Sequence, residues 1–210
     1  WRRKRLNILE IGIGGGEDPN GGGASLKMWK MYFPNAQIYG IDLYNKSVHE
    51  ENRIKTFCGS QANPQFLESV AAQIGQIDII IDDGSHHNEH VLASFLTLFP
   101  LLSDMGIYVV EDTQTSYWPE YGGASEPLGA PHTTMGFLKS LADGVNYQEF
   151  RLERFSPNYF NKHVVSLHFY HNLVFIYKGI NNENSIVGME AHGRDRPGGR
   201  GRRRRGQRRA

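Results

Sequence analysis

Two short stretches of the sequence repeat one pattern, in which an apolar run rich in β-branched residues ends in two adjacent carboxylates. They are residues 79–83 (IIIDD) and 107–112 (IYVVED), about 28 residues apart, with an apolar helix-like segment between them. If the two runs are neighbouring parallel strands, their carboxylates meet at one edge of a sheet. Open α/β sheets bind their ligands at that edge.

Strand and helix patterns alternate along the rest of the chain. Predicted strands cover 7–11, 37–42, 53–58, 77–81 and 107–110, and predicted helices cover 24–33, 64–74, 89–102 and 134–142. Two more apolar stretches, 163–170 and 173–178, are separated by two residues and predict an antiparallel hairpin. The sequence therefore predicts an α/β fold, in which a parallel sheet is covered by helices on both faces.

The first predicted strand runs into a glycine turn and then a helix, the usual start of a mononucleotide-binding unit. Gly12 and Gly14 let the backbone approach a ligand closely and aim free amides at it. Glu17 stands where the dinucleotide fingerprint requires its third glycine, so that fingerprint fails. A plain tight turn is the alternative interpretation.

Polar residues also follow the second and third predicted strands. Asp42 ends the second strand, where an acid typically binds the two ribose hydroxyls of an adenosine ligand. Ser60 and Gln61 follow the third strand, where they could reach an adenine edge or simply cap a turn. A solvated loop aspartate remains the alternative for Asp42.

Acids at the ends of the fourth and fifth predicted strands form a candidate metal site. Clustered carboxylates repel each other and need a cation, a proton or a hydrogen-bonding ligand. The oxygen ligands offered by Asp83, Glu111 and Asp112 suit Mg²⁺, Ca²⁺ or Mn²⁺, and we expect Mg²⁺. Capping of the following helices is the alternative role for these acids.

A histidine lies three residues beyond Asp83, within reach of anything that a metal holds there. A neutral imidazole beside a metal-held hydroxyl can remove its proton near neutral pH, so His86 is the candidate general base. A lone histidine is more often structural. His87 and His90 lack the same placement and are expected to be structural.

Residues 113–131 form a long loop that contains Tyr117, Trp118 and Tyr121. Loops of this length are usually functional, and these rings could stack on a sugar or on another flat apolar surface. A loop that merely packs its own side chains is the alternative. The histidines of the C-terminal hairpin are expected to be structural or exposed.

Composition constrains the compartment and the partners. The single cysteine, Cys58, excludes an internal disulfide and suits a reducing compartment. No apolar run approaches the roughly 20 residues of a membrane span, and there is no signal-peptide pattern, so we expect a cytoplasmic protein without membrane contact. The first 190 residues, with 14 basic and 21 acidic side chains, carry a net charge of −7, which disfavours nucleic-acid binding.

The last twenty residues hold nine arginines and one aspartate in a glycine-rich context. We expect residues 1–190 to be one domain and residues 191–210 to be a disordered tail, or an arm that binds polyanions. The chain begins at Trp1 and enters its first strand within a few residues. We therefore expect that an upstream segment is missing.

Five motifs together resemble the magnesium-dependent macrolide-sugar O-methyltransferases, and more distantly the cephalosporin hydroxylase group. They are residues 9–15 (LEIGIGG), 40–42 (GID), 81–86 (IDDGSH), 110–112 (VED) and 168–172 (HFYHN). The acidic motifs at this spacing are far more specific than the glycine loop. The resemblance covers roughly residues 6–180 of the sequence.

The resemblance implies a class I methyltransferase sheet of seven strands, mostly parallel, with one antiparallel strand from the hairpin. It implies Mg²⁺ on Asp83, Glu111 and Asp112, and His86 as proton acceptor. It also implies a homo-oligomer, a glycosylated small-molecule substrate and a site for S-adenosylmethionine. The implied cofactor-binding residues are Glu10, Gly12, Gly14, Asp42, Ser60, Gln61 and Asp82.

The chain departs from the family in two respects. The macrolide enzymes carry an additional N-terminal domain, and Ser60 stands where an aspartate is expected. The leading hypothesis is an S-adenosylmethionine- and Mg²⁺-dependent sugar O-methyltransferase. A nucleotide-dependent oxidoreductase on the same sheet and a polyanion-binding module that acts through the tail are the alternatives.

Overall fold

A seven-stranded sheet forms the centre of the molecule. The computed structural model describes residues 1–185, so the predicted tail lies outside the described residues. The strands are β1 (Asn7–Ile11), β2 (Gln37–Asp42), β3 (Ile54–Cys58), β4 (Ile77–Asp82), β5 (Leu102–Glu111), β6 (Val164–Tyr170) and β7 (Leu173–Lys178). Their order is β3-β2-β1-β4-β5-β7-β6. Neighbours from β3 to β5 are parallel, whereas β7 is antiparallel to β5 and β6, which confirms the predicted fold.

Helices connect the strands and cover the sheet. They are α1 (Ala24–Tyr32), α2 (Pro64–Ile74), α3 (Asn88–Leu98), α4 (Thr134–Val145) and α5 (Tyr159–His163). Local sequence explains both ends of α2. The Asn63 side chain accepts a hydrogen bond from the backbone N–H of Phe66, Pro64 stands at the first helical turn, and the helix ends at Gly75 with φ at +82°.

Several boundaries differ from the predictions, most of all at the helix before β5, and one helix was not predicted. The predicted helix 89–102 ends at Leu98 and is followed by a short 3-10 turn, Phe99–Leu101. Pro100, in that turn, has no backbone N–H to donate, and β5 already begins at Leu102. Helix α5 was not predicted, because five residues are too few to establish a helical period.

Apolar side chains pack on both faces of the sheet. On one face, α2, α3 and α4 bury a cluster in which the Phe95 ring packs edge-on against Tyr108, with centroids 4.9 Å apart. On the other face, Leu26 of α1 packs with Ile8 and Ile38 in a second cluster. Burial of such side chains supplies about 25 cal/mol per Å² of apolar area, and it holds the strand ends in fixed register.

The strand order reverses between β1 and β4. From β1 the chain runs outward through β2 and β3, then returns to pair β4 on the other side of β1. Ile11 aligns with Ile41 and with Asp82, and Asp82 aligns with Val110. The residues that follow β1, β4 and β5 therefore leave the sheet at the same level, at the switch point where α/β sheets bind ligands.

Within residues 1–185, none of the helices combines the length and the apolar character that crossing a lipid bilayer requires.

Candidate active site

A cavity of about 590 Å³ opens at this switch point. Its wall includes nine of the eleven predicted site residues. The structure brings these nine together: Glu10, Gly12, Gly14, Asp42, Ser60, Gln61, Asp83, His86 and Asp112. Asp82 and Glu111 are not part of this wall.

The glycine turn after β1 lies directly against the backbone that follows β4. Gly12 has φ at +92°, and a Cβ atom built on it would lie 2.1 Å from the backbone oxygen of Asp83. The position therefore requires glycine for its conformation and for its space. The two loops are packed into one unit, so the geometry of the cofactor turn and that of the acid cluster depend on each other.

Asp42 is held in a fixed orientation at the end of β2. Its Oδ2 accepts a hydrogen bond from the backbone N–H of Ile13, and its Oδ1 accepts one from the N–H of Tyr44, both at 2.9 Å. Each oxygen keeps a second acceptor position. The half-buried carboxylate can therefore accept hydrogen bonds from a pair of hydroxyls, as predicted for a ribose.

Glu10 is a buried acid beneath the cavity. The indole Nε1–H of Trp29 donates to its Oε2 at 2.8 Å. The pKa of Glu10 is raised to about 7, chiefly by burial and to a smaller extent by the negative charges of Asp83 and Glu111. Hydrogen bonds from Ser25 and Trp29 act in the opposite direction and lower the pKa. A cationic ligand group would favour the ionised form of this side chain.

Replacing Glu10 by glutamine removes a pH dependence of stability. The folded-state pKa of about 7 lies above the ordinary 4.5, so the folded protein binds this proton more tightly. The resulting stabilisation is complete below about pH 4.5 and is lost as the pH rises through 7. Between pH 4.5 and 8, we expect the free energy of unfolding of wild type to fall by about 3 kcal/mol relative to that of Glu10→Gln. Urea unfolding in EDTA at several pH values measures the difference, and a constant difference contradicts the prediction.

Asp82, predicted as a cofactor contact, is not among the residues that line the cavity. The residue is 1% exposed. Its carboxylate accepts hydrogen bonds from Gln61 Nε2 at 3.0 Å, from Tyr108 Oη at 3.2 Å and from the Ser94 hydroxyl. Burial raises its pKa to about 6. Its oxygens are therefore used within the protein, on the face of the sheet that packs against α3.

Gln61 connects this buried acid to the loop after β4. Its Oε1 accepts a hydrogen bond from the Ser85 N–H at 2.7 Å, and a Cβ atom on Gly84 would lie 2.0 Å from that oxygen. The oxygen and the nitrogen of the Gln61 amide thus both form hydrogen bonds within the protein. Gln61 shapes the cavity wall, while the neighbouring Ser60 hydroxyl can still donate to a ligand.

Asp83, His86 and Asp112 form a compact group at the mouth of the cavity. One candidate ligand atom from each residue lies within 4.8 Å of the other two. His86 Nε2 is 3.6 Å from Asp112 Oδ2 and 4.0 Å from Asp83 Oδ1. Burial and the charge of Asp112 raise the pKa of Asp83, although His86 lowers it. A bound cation would relieve this repulsion.

Glu111 lies beside this group without joining it. It lines a separate apolar cavity on the α1 side of the sheet, of about 330 Å³. Burial raises the pKa of Glu111, and the charges of Asp83 and Asp112 raise it further, so its carboxylate is close enough to interact with both. The metal set predicted from sequence and the set grouped in the structure therefore share Asp83 and Asp112.

Two residues of the group have backbone conformations that are unusual for their type. His86 has φ at +58° and Asp112 has φ at +50°, the left-handed region that side chains with a Cβ seldom adopt. Such conformations cost of order 1–3 kcal/mol each and cluster at functional sites. Here they lie in the two loops that face each other across the cavity mouth.

Sequence reasoning missed three residues at the site. His90, expected to be structural, lines the cavity and its Nδ1 lies 2.8 Å from the Ser85 hydroxyl. Its position in the first turn of α3, the helix that follows the loop after β4, was the available signal. Trp29 and Lys46 were also missed. Trp29 lies three residues after the buried Leu26, a spacing that puts both on one side of α1, but nothing local distinguishes Lys46.

The aromatic loop is anchored next to the site. Asn88, which is 1% exposed, donates from its Nδ2 to the backbone oxygens of Thr115 at 3.1 Å and Tyr121 at 2.9 Å. The Tyr121 ring lies 5.2 Å from the His87 ring and 6.0 Å from Trp118, which is 43% exposed. Trp118 therefore offers an accessible aromatic surface beside the Tyr121 ring.

The residues present fit an adenosine-containing cofactor together with a hard divalent cation. The cavity volume lies in the usual range of ligand sites. The glycine turn approaches the cavity so closely that a Cβ atom would not fit, and Asp42 presents two acceptors. The carboxylate oxygens at the mouth are the donors that Mg²⁺ prefers.

Among curated proteins, the chain is similar to sugar O-methyltransferases. Demethylmacrocin O-methyltransferase of Streptomyces fradiae is 49% identical over 189 residues, which are 90% of this chain and 48% of that protein. Mycinamicin VI 2''-O-methyltransferase of Micromonospora griseorubida is 46% identical over 187 residues, 89% of this chain and 47% of that protein. No family model matches the chain.

Solved structures give the same result. The MycE methyltransferase of the mycinamycin biosynthetic pathway, in complex with Mg and SAH, superimposes with a TM-score of 0.85 at 46% identity. The match covers 88% of this chain and 48% of that one. A second MycE structure, which also contains mycinamycin VI, gives a TM-score of 0.83.

The chain is thus a homologue of macrolide-sugar O-methyltransferases and has their class I methyltransferase fold, which confirms the resemblance seen in the motifs. It spans about half the length of the curated relatives it matches.

Proposed function

We propose that this chain is the catalytic part of an S-adenosylmethionine- and Mg²⁺-dependent O-methyltransferase that acts on a sugar hydroxyl of a glycosylated secondary metabolite. The observation that carries the proposal is a cofactor-sized cavity whose mouth holds a histidine between two carboxylates. The homology to sugar O-methyltransferases supports the substrate class. The oxidoreductase alternative is not favoured.

When bound, S-adenosylmethionine supplies an electrophilic methyl group, and Mg²⁺ supplies a positive charge that holds a hydroxyl and makes it more acidic. Three side chains and the glycine turn would bind the cofactor. Glu10 would lie near its cationic amino group, and the backbone of the Gly12–Gly14 turn would approach it closely. Asp42 would accept hydrogen bonds from the ribose hydroxyls, and Ser60 would donate to the adenine side. Asp83, Glu111 and Asp112 would hold the metal through oxygen.

His86 would remove the proton from the acceptor hydroxyl. Its Nε2 faces the acids, 3.6 Å from Asp112 and 4.0 Å from Asp83, so the imidazolium formed after proton transfer is stabilised by two negative charges. Hard cations prefer oxygen ligands, which leaves this nitrogen available as a base. Orientation of the hydroxyl beside His86 supplies much of the rate enhancement.

The accessible Trp118 ring and the anchored loop around it would contact the sugar or its aglycone. The proposal includes one methyltransferase domain over residues 1–190, a cytoplasmic location and a homo-oligomer. The single exposed cysteine, Cys58, suits a reducing compartment. Light scattering of the purified chain tests the oligomer.

Titration calorimetry tests the proposed function. We expect the protein to bind S-adenosylhomocysteine with micromolar affinity, and to bind NADH at least about 100-fold more weakly, because the dinucleotide fingerprint is broken. Radiolabelled methyl transfer to demethylated macrolides should require Mg²⁺ and stop in EDTA. A folded protein that binds neither S-adenosylmethionine nor its product rules the proposal out.

A further inference from the structure

A buried lysine holds the glycine-rich loop at the rim of the cavity. Lys46 is 1% exposed. Its Nζ donates to three backbone oxygens of this loop, those of Gly16 at 2.8 Å, Asp18 at 2.7 Å and Gly21 at 3.2 Å. His49 Nε2 lies 3.0 Å from the same Gly21 oxygen. The segment after β2 thus fixes the segment after β1.

In the described part of the chain, the charge of this lysine is balanced by carbonyl oxygens and not by an ion pair. Among the ion pairs of residues 1–185, none includes Lys46. Burial of an ammonium is costly unless its donors are satisfied, and three carbonyl oxygens match its three N–H groups. A neutral side chain would fill the same space without that cost. We therefore expect the charge of this lysine to have a role beyond filling the space.

The loop itself is tightly folded. Residues 14–23 form two limbs, and a Cβ atom on Gly15 would lie 2.2 Å from the carbonyl carbon of Gly21 on the opposite limb. Gly14, Gly15 and Gly16 all have positive φ. Gly14 and Gly16 line the cavity. The conformation that Lys46 maintains is therefore part of the cavity wall.

The three carbonyl oxygens that Lys46 holds belong to both limbs of this loop, Gly16 and Asp18 on one side and Gly21 on the other, so the lysine ties the limbs together. Within residues 1–185, the backbone amides of Gly14, Gly15 and Gly16 donate no hydrogen bond to protein. Successive free amides in such loops bind anions.

We propose that Lys46 is a positioning residue for the cofactor, because it ties the two limbs of the loop together and so fixes the conformation in which the free amides of residues 14–16 can bind the cofactor's carboxylate. The inference rests on the proposed function, since S-adenosylmethionine supplies that carboxylate. Lys46 does not touch the ligand, because its three N–H groups are already used.

Lys46→Met tests the inference, and Lys178→Met is its matched control. Lys178 is another buried lysine, 5% exposed, whose Nζ donates to the oxygens of Pro100 and Leu102, but it does not line the cavity. We expect Lys46→Met to weaken S-adenosylhomocysteine binding about 10- to 100-fold in calorimetry. Amide hydrogen exchange in residues 14–23 of the ligand-free protein should accelerate. The control should lose stability and keep wild-type affinity.

Chemical rescue distinguishes the effect of the positive charge of Lys46 from the effect of its side-chain packing. In Lys46→Ala, added ethylammonium chloride should restore part of the affinity and slow the exchange of residues 14–23, whereas sodium chloride at equal ionic strength should not. Wild-type affinity and exchange in Lys46→Met, or equal loss of affinity in Lys178→Met, overturn the inference. Failure of wild type to bind S-adenosylhomocysteine overturns the proposed function instead, and the exchange data then still report whether Lys46 holds the loop.

Discussion

Replacing His86 by asparagine lowers the rate of methyl transfer about 10³-fold and leaves the affinity for S-adenosylmethionine within about twofold of wild type. A general base contributes about 10²- to 10⁴-fold. Asparagine suits the position because it tolerates left-handed backbone, which His86 adopts at φ +58°. The loss of rate therefore reports the missing base and not a distorted loop. Single-turnover methyl transfer and calorimetry measure the two quantities.

The neighbouring His87 provides the control. It is exposed, does not line the cavity and precedes the first residue of α3. His87→Asn should keep at least half of the wild-type rate, because it removes an imidazole without touching the acid group. His86→Gly should regain activity on addition of imidazole. Full activity of His86→Asn would exclude His86 as the proton acceptor.

The framework of the fold was predictable because its strands are short apolar runs that end at recognisable signals. Asn63 and Pro64 mark the start of α2, and Gly75 marks its end. The two-residue connection between β6 and β7 identifies the hairpin. Each of these signals is local, so a single sequence contains it.

The two acid pairs show what the sequence could not decide. Asp82 and Glu111 are the last residues of β4 and β5, so their side chains leave the sheet from one of its faces, whereas Asp83 and Asp112 follow the strand ends. In the structure Asp83 and Asp112 line the cavity, while Asp82 is buried against α3 and Glu111 lies on the α1 side. Which member faces the ligand depends on the layers that cover each face, and hence on contacts distant in sequence.

Lys46 and Gln61 show a second limit of prediction from the sequence. Their roles arise from hydrogen bonds to groups 21 to 30 residues away along the chain, such as Lys46 to Gly16 and Gln61 to Asp82. No periodicity or motif encodes such partners. A sequence therefore predicts the elements and the edge where they meet more readily than the polar contacts that fix the loops at that edge.

Replacing Asp112 by asparagine weakens Mg²⁺ binding at least about 100-fold, because it removes one of the charged oxygen ligands that determine the affinity for a hard cation. Asparagine again tolerates the left-handed backbone at φ +50°. Manganese titrations followed by electron paramagnetic resonance, with S-adenosylhomocysteine present, measure the affinity. Asp104→Asn is the control, since Asp104 is an exposed acid toward the other end of β5.

Glu111→Gln separates the two possible ligand sets. If Glu111 is the third oxygen ligand, its replacement lowers the affinity for the metal about tenfold or more. Wild-type affinity in this variant would leave Asp83, Asp112 and His86 as the binding group. In that case the imidazole nitrogen would be bound to the metal, and the assignment of His86 as the base would fail as well.

The stability of the Asp112→Asn variant distinguishes a lost ligand from a damaged site. The negative charge of Asp112 raises the pKa of Asp83, so the two acids repel each other when no cation is bound. Removal of one charge relieves this repulsion, and the metal-free variant should melt at or above the temperature of wild type. Added Mg²⁺ should raise the melting temperature of wild type through preferential binding to the folded state, but not that of the variant. A variant that melts lower in EDTA and still responds to Mg²⁺ would show that Asp112 supports the fold and does not bind the metal.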